Sequence, residues 1–178
     1  MAKWIALLRG INVGGHNKVP MAALRQLCEG LGWEEVQTFI QSGNVVFEAA
    51  GPAAKLETAL ERAVGERFGF SPAVLVRGAE AWATLLAANP FAAEAGDEPA
   101  KVMVAISKAA LAKAAAAAIE AKGAAGERVR EAGGALWFHY PEGAGRSKIG
   151  PAAIDKAAGS PVTARNWRTA LALRNMTG

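Results

Sequence analysis

Short apolar runs alternate with segments of helical periodicity in the first half of the chain. Strands are predicted where β-branched and aromatic residues cluster, and helices where apolar residues recur every three or four positions. The predicted elements are a strand over 4–9, a helix over 20–31, strands over 36–41 and 44–48, a helix over 56–64 and a strand over 73–76. This β-α-β-β-α-β order is that of a ferredoxin-like unit.

The second half of the chain repeats this order incompletely. The predicted elements are a helix over 79–88, a strand over 102–106, a helix over 108–122, a hairpin of 127–131 with 135–140, a helix over 151–158 and a last helix after Thr163. We therefore predict an α+β protein of two ferredoxin-like subdomains packed together, the second an incomplete echo of the first. The predicted domains are residues 1–95 and residues 96–178, which carry the C-terminal helix.

Composition narrows the class of protein. The chain is 52% hydrophobic and 20% charged, which is typical of a globular domain rather than a disordered one. Its only cysteine, Cys28, excludes an internal disulfide, so we expect a cytoplasmic protein. The N-terminal apolar run stops at Arg9-Gly10, and no run reaches the roughly 20 apolar residues of a membrane span. Neither a signal peptide nor a membrane partner is expected.

The net charge of +4 is unevenly distributed. Between residues 143 and 178 there are six basic residues and one acidic residue, so this segment carries +5 and the remainder carries −1. A basic segment of this kind favours an acidic partner.

The glycine-rich loop 10–18 follows the first predicted strand and precedes a helix. Such loops can hold phosphate on backbone N–H groups at a helix N-terminus. The P-loop pattern is absent, because His16-Asn17 replaces Lys-Ser/Thr after Gly15, and the dinucleotide pattern is absent as well. The alternative is a flexible turn. Arg9, Asn12 and Lys18 are the candidate ligand-binding residues.

A second polar segment, Gln41-Ser42-Gly43-Asn44, joins two apolar β runs. A turn of small and polar residues explains it in structural terms. The functional alternative is that Gln41, Ser42 and Asn44 present hydrogen-bonding groups beside the glycine-rich loop.

The third polar segment is 163–169, where Thr163 is predicted as the N-cap of the last helix. Arg165 and Arg168 would then lie near the positive end of the helix dipole, which suggests a nearby anion, either an internal carboxylate or a ligand. Asn166 completes the candidate residues here. The basic loop 143–148 could add Arg146, Ser147 and Lys148, or be a solvated surface loop.

Other chemistry is not indicated. Two histidines and one cysteine give no metal-ligand spacing, so neither a metal nor a cofactor is expected. A Ser-His-Asp set could be drawn from Ser147, His139 and Asp155, but no nucleophile-elbow pattern accompanies it. No catalytic residue is identified.

Four blocks of the sequence together resemble the bacterial domain of unknown function 1697 family. The blocks are Leu7–Gly15 with Asn17–Met21, Thr38–Phe47, Asn89-Pro90-Phe91 and Thr163–Thr169. Phe39 stands where the family often has Tyr. The resemblance implies two ferredoxin-like subdomains and supplies neither an activity nor a catalytic residue.

Three functions stay open from the sequence. The first is a binding module for an anionic, phosphate-bearing ligand, either a nucleotide or a nucleic acid. The second is an enzyme acting on an anionic small molecule. The third is a structural or interaction protein without a small ligand, whose polar blocks are joints of the fold. The sequence does not indicate an oligomeric state.

Overall fold

The computed structural model describes all residues from 1 to 178. The chain is a mixed α/β protein with two four-stranded antiparallel sheets and seven α-helices, which confirms the predicted α+β class. No α-helix combines the length and the apolar character needed to span a membrane. The chain divides into two units, Met1–Trp82 with Leu173–Gly178 and Ala83–Ala172. The division into domains at 1–95 and 96–178 stays a prediction.

The first unit contains one of the two sheets. Its strands are β1 (Ala2–Leu8), β2 (Glu34–Phe39), β3 (Asn44–Ala49) and β4 (Val74–Gly78), in the order β2-β3-β1-β4. Its helices are α1 (Met21–Gly30) and α2 (Ala53–Phe68), and α3 (Ala79–Ala87) begins directly after β4. These elements match the predicted ones closely, because each apolar run is short and bounded by glycine, proline or polar residues.

Both faces of β1, an inner strand of the first sheet, are buried. On β1, Ala6 and Leu8 face the helices and are 0% exposed, while Ile5 and Leu7 on the other face are each only 1% exposed. This explains why β1 is a continuous apolar run instead of the alternation of a half-solvated strand.

The second unit has the same strand order as the first. Its strands are β5 (Val102–Ser107), β6 (Arg128–Ala132), β7 (Ala135–His139) and β8 (Val162–Asn166), in the order β6-β7-β5-β8. Its helices are α4 (Ala92–Asp97), α5 (Ala115–Glu120) and α6 (Pro151–Ala158), and α7 (Trp167–Met176) begins in this unit. The connection between α3 and β5 thus contains α4, and a short 3-10 helix, Pro99–Lys101, follows it.

The predicted helix start at Thr163 is wrong. Thr163 lies in β8, opposite Ile106 of β5, and its hydroxyl caps no helix. Val162 and Thr163 are β-branched and pack well in a strand. The second unit therefore contains the complete β-α-β-β-α-β order. The prediction that it repeats the first unit only incompletely is wrong.

The predicted helix over 108–122 is only partly present. α5 starts at Ala115, after Ala114 in a left-handed conformation with φ of +61°. The preceding segment instead bonds to the end of α6 and to the α6–β8 connection, since Ala112 N donates to Ala158 O and Lys108 N donates to Pro161 O. Tertiary pairing thus overrides the helix propensity of alanine.

Candidate functional site

The nine sequence-predicted ligand-binding residues are divided between the two units. Arg9, Asn12, Lys18, Gln41, Ser42 and Asn44 lie in the first unit, and Arg165, Asn166 and Arg168 lie in the second. That all nine form one site stays a prediction. Five of the first six are on the β1–α1 and β2–β3 loops at one end of the first sheet, and Asn44 is the first residue of β3.

The side chain of Asn12 joins these two loops. Its Nδ2 donates to Val19 O at 2.9 Å and to Gln41 O at 2.8 Å, and its Oδ1 accepts from Val19 N at 2.8 Å. Asn12 adopts a φ of +54°, a conformation that asparagine tolerates better than most residues. With both amide groups committed to the backbone, Asn12 braces the loops and does not present its amide to a ligand.

Asn44 plays the same part for the β2–β3 turn. It is fully buried, and its Nδ2 donates to Phe39 O at 2.9 Å and to Ser42 Oγ at 2.8 Å. Gly43, between them, has a φ of +89°, and an added Cβ would lie 2.8 Å from Ile11 Cδ1. Only glycine fits this turn, which lies against the base of the glycine-rich loop.

Two exposed apolar residues flank the braced loops, and the hydrophobic pattern of the sequence does not identify them. Val13 is 63% exposed and Ile40 is 51% exposed. Ile40 also has a φ of +48°, which is unusual for a β-branched residue and costs on the order of 1–3 kcal/mol. Strain of this kind is common at functional sites.

An open depression of about 290 Å³ lies between the two loops and the start of α1. It is lined by Asn12, Gly15, Lys18, Val19, Pro20 and Gln41. Lys18 and Gln41 are exposed there, and Lys18 forms no ion pair. Pro20 precedes α1 without a side-chain cap, so no side chain covers the first N–H groups of this helix.

The depression has a positive electrostatic character. Lys18 lines it, and segments 9–20 and 36–47 around it contain no acidic residue. The uncapped N-terminus of α1 adds the positive end of a helix dipole. An anion at this position would meet no carboxylate from either loop.

The candidates of the second unit have different surroundings from those predicted. Arg165 lies in β8 and is only 7% exposed, and its Nη1 donates to Thr163 Oγ1 at 2.7 Å and to Ala164 O at 2.9 Å. Desolvation lowers the pKa of Arg165 to about 10. The placement of Arg165 in the first turn of a helix is therefore wrong.

The cap of α7 is Asn166, not Thr163. Its Oδ1 accepts a hydrogen bond from Thr169 N at 2.9 Å, the bond that an N-cap side chain makes. Arg168 is the second residue of α7 and is exposed, so it alone of the three candidates here lies in the predicted first turn and faces solvent.

A buried carboxylate, that of Glu127, accepts a hydrogen bond from the basic loop 143–148. Glu127 is 7% exposed, and its carboxylate accepts from Ala125 N at 2.9 Å and from Ser147 Oγ at 3.1 Å. The Ser147 hydroxyl accepts in turn from Ile149 N at 3.1 Å. Backbone N–H donors, Ala125 first, lower the pKa of Glu127. The hydroxyl is thus committed to an anion of the protein itself, which makes this loop a poor site for a ligand anion.

The sequence reading also missed a charged cluster on the β6–β7 hairpin. Arg128 Nη2 lies 2.5 Å from Glu94 Oε2 and 3.3 Å from His139 Nδ1, and its guanidinium stacks over the Phe91 ring at 5.0 Å. Desolvation, with Arg128 as a second cause, lowers the pKa of His139. These residues are far apart in sequence, so only the pairing of Arg128 with His139 in the sheet reveals the cluster.

Comparisons with known proteins agree with the sequence resemblance. No curated protein matches the chain. The solved structure of the conserved bacterial protein SP0830 from Streptococcus pneumoniae is similar, with 25% sequence identity and a TM-score of 0.74 over 99% of each chain. The family described as "Protein of unknown function (DUF1697)" matches residues 1–137. The chain therefore belongs to the DUF1697 family, whose function is not known.

Proposed function

We propose that the first unit binds an anionic, phosphate-bearing ligand, a nucleotide or a nucleic acid, in the depression between the β1–α1 and β2–β3 loops. One observation carries this proposal. The depression combines an exposed lysine with an uncapped helix N-terminus, and the two loops around it contain no carboxylate.

Lys18 and Gln41 are the proposed ligand contacts. The lysine ammonium is a compact positive charge that suits a phosphate oxygen, and the glutamine amide offers both a donor and an acceptor. The first N–H groups of α1 add donors and a favourable dipole. Arg9, on the same loop as Lys18, is the second cation of the proposed set.

Asn12, Ser42 and Asn44 act in this proposal by holding the loops in place. Their hydrogen bonds to backbone and to one another fix the positions of Gln41 and of the loop that carries Lys18. A site positioned in this way loses little entropy when a ligand binds.

In the second unit, Arg168 is exposed and stays a separate candidate contact, while Arg165 and Asn166 support β8 and the start of α7. We also assign both units to the ferredoxin-like arrangement. The element order β-α-β-β-α-β and the shared strand order of the two sheets support this assignment.

Thermal melting tests the proposal. The purified chain is melted with nucleoside triphosphates, tripolyphosphate and a short single-stranded RNA, at low and at high salt. A ligand that binds only the folded state raises the melting temperature, by roughly 5–10 °C at a hundredfold excess over its Kd. Lys18→Ala should remove most of this shift, and high salt should reduce it.

The matched control is Lys55→Ala. Lys55 is an exposed lysine of α2 in the same unit and forms no ion pair. It should leave the shift unchanged. Equal loss of the shift in both variants, or no shift with any of these compounds, would contradict the proposal.

A further inference from the structure

Carboxylates carried by helices cover three of the four outer strands of the two sheets. Glu61 and Glu57 of α2 accept from Val74 N and Val76 N of β4, both at 2.9 Å. Glu120 of α5 accepts from Val129 N of β6 at 3.0 Å. At the start of β8, Asp155 of α6 accepts from Val162 N at 3.0 Å. Such contacts occupy edge N–H groups that would otherwise pair with another chain.

The fourth outer strand, β2, has no such cover. From residue 34 to residue 38, no side chain or loop forms a hydrogen bond with the outward backbone groups. The helix that precedes β2 is α1, just as α5 precedes β6. Its last carboxylate, Glu29, bonds to Arg25 Nε at 2.9 Å and not to the strand. The β2 edge is thus available as a template for pairing.

Depressions flank β2 on both of its faces. Thr38 contributes to one of about 380 Å³, beside α1 and the residues Met21 and Arg25. Glu35 and Gln37 contribute to a smaller one of about 70 Å³ beside β3. An added strand places alternate side chains on opposite faces, and it is in such depressions that strand-addition sites gain their specificity.

The smaller depression is acidic. Glu35, Glu48 and Lys3 line it, which gives one net negative charge. In the sheet, Glu48 lies between Lys3 of β1 and Glu34 of β2, and none of the three glutamates forms an ion pair. Like charges at a pairing position such as that of Glu34 and Glu48 are destabilising. Lys3 offsets only one of the three negative charges, so a cation from a partner would relieve the remaining repulsion.

We propose that the β2 edge binds an extended peptide as a fifth strand, with a basic side chain of the peptide directed at Glu35 and Glu48. A second copy of this chain fits the edge less well. Two such edges would bring their glutamates together, and the bulge between Glu34 and Gln37 shortens the regular stretch. A short basic peptide brings no glutamates to the edge and needs only a short stretch of it, and this site is independent of the anion site.

Fluorescence anisotropy with defined peptides tests the proposal. The probe is a short labelled peptide of alternating Lys and Val. One control peptide carries Glu in place of Lys, and a second keeps Lys but is N-methylated at alternate backbone positions. Only the first should bind, because the Glu peptide is repelled and the N-methylated peptide cannot pair with a strand. Glu35→Lys combined with Glu48→Lys should weaken binding about fivefold or more.

The variant control is Glu142→Lys, an exposed glutamate of the second unit without an ion pair, which should leave binding unchanged. Hydrogen exchange gives a second readout. The bound peptide should protect every second amide between residues 35 and 38. Equal binding of the N-methylated peptide, protection elsewhere, no binding, or concentration-dependent self-association that Glu35→Lys abolishes would each overturn the proposal.

Discussion

The two units have the same strand order but hold their loops with different chemistry. In the first unit, neutral amides brace the loops, with Asn12 bonded to Val19 and Gln41 and Asn44 bonded to Phe39. In the second unit a carboxylate holds two loops together, since Glu127 accepts hydrogen bonds from Ala125 N and from Ser147 Oγ. The difference determines what charge remains at each loop.

An amide brace leaves the local charge unchanged, whereas a carboxylate brace adds a negative charge. Lys18 of the first unit's loop, which forms no ion pair, therefore stays available to an anion from solution, while the basic loop of the second unit already contacts an internal anion through Ser147. This contrast is why the proposed site is assigned to the first unit although the excess positive charge of the sequence lies near the C-terminus.

The largest expected effect follows from removing an amide brace. Asn12→Ala abolishes three hydrogen bonds and places alanine at a φ of +54°. We expect a loss of roughly 2–4 kcal/mol in the free energy of unfolding, measured in urea. Asn175→Ala, at an exposed position of α7, should change it by less than about 0.5 kcal/mol. Equal stability of the two variants would mean that Asn12 does not hold the loops of the first unit in place.

Replacing the carboxylate brace should have a smaller effect. Glu127→Gln keeps one oxygen acceptor but puts an amide donor against either Ala125 N or Ser147 Oγ, so we expect the melting temperature to fall by a few degrees. Glu131→Gln changes an exposed glutamate of β6 without an ion pair and should leave the melting temperature unchanged. Matching values for both variants would mean that Glu127 does not brace the loop.

Acid should weaken the carboxylate brace. Because the folded pKa of Glu127 is below its ordinary value of 4.5, its contribution to stability is complete above that pH and is lost as the pH falls through the folded pKa. His139 has a lowered pKa as well, so its contribution is lost as the pH falls from 6.5 through its own folded pKa. Melting between pH 7 and pH 3 should show a shallower acid decline for Glu127→Gln than for the native chain. A steeper decline would contradict this assignment.

The smallest expected effect concerns the strained turn. Ile40→Asn should stabilise the chain by up to about 1 kcal/mol, because asparagine tolerates a φ of +48° better than isoleucine does. Ile40→Val keeps a β-branched residue and should change little. Urea unfolding of both variants measures the difference. Destabilisation by Ile40→Asn would contradict this, because it would mean that packing of the isoleucine side chain outweighs the strain at its positive φ.

The strands of the first unit could be predicted from the sequence because each is a local signal. The start of α7 could not. Thr163 and Asn166 are both good N-cap residues three positions apart, and the choice between them depends on the pairing of Thr163 with Ile106, which is distant in sequence. The helix predicted for the alanine-rich segment before α5 is absent for the same reason, since the backbone of that segment bonds to residues that are distant in sequence.

The sequence predicts where the candidate site lies better than it predicts what each of its residues does. The sequence predicts Asn12 and Asn44 as ligand-binding side chains, yet both are committed to hydrogen bonds within the protein, and an asparagine near a turn can do either. The exposure of Ile40 could not be predicted, because an apolar residue beside a strand usually faces the core. The exposure of Lys18 and Gln41 agrees with the ligand-binding role proposed for both.

The most direct test of anion binding by the first unit is an amide NMR titration of the native chain with tripolyphosphate. We expect chemical-shift changes concentrated in the amides of residues 10–22 and 40–43, saturating with a single Kd that weakens as salt is added. We expect no comparable change in residues 143–149, where Glu127 already bonds to Ser147. Changes centred on residues 143–149, or none at any residue, would contradict anion binding at the first unit's loops.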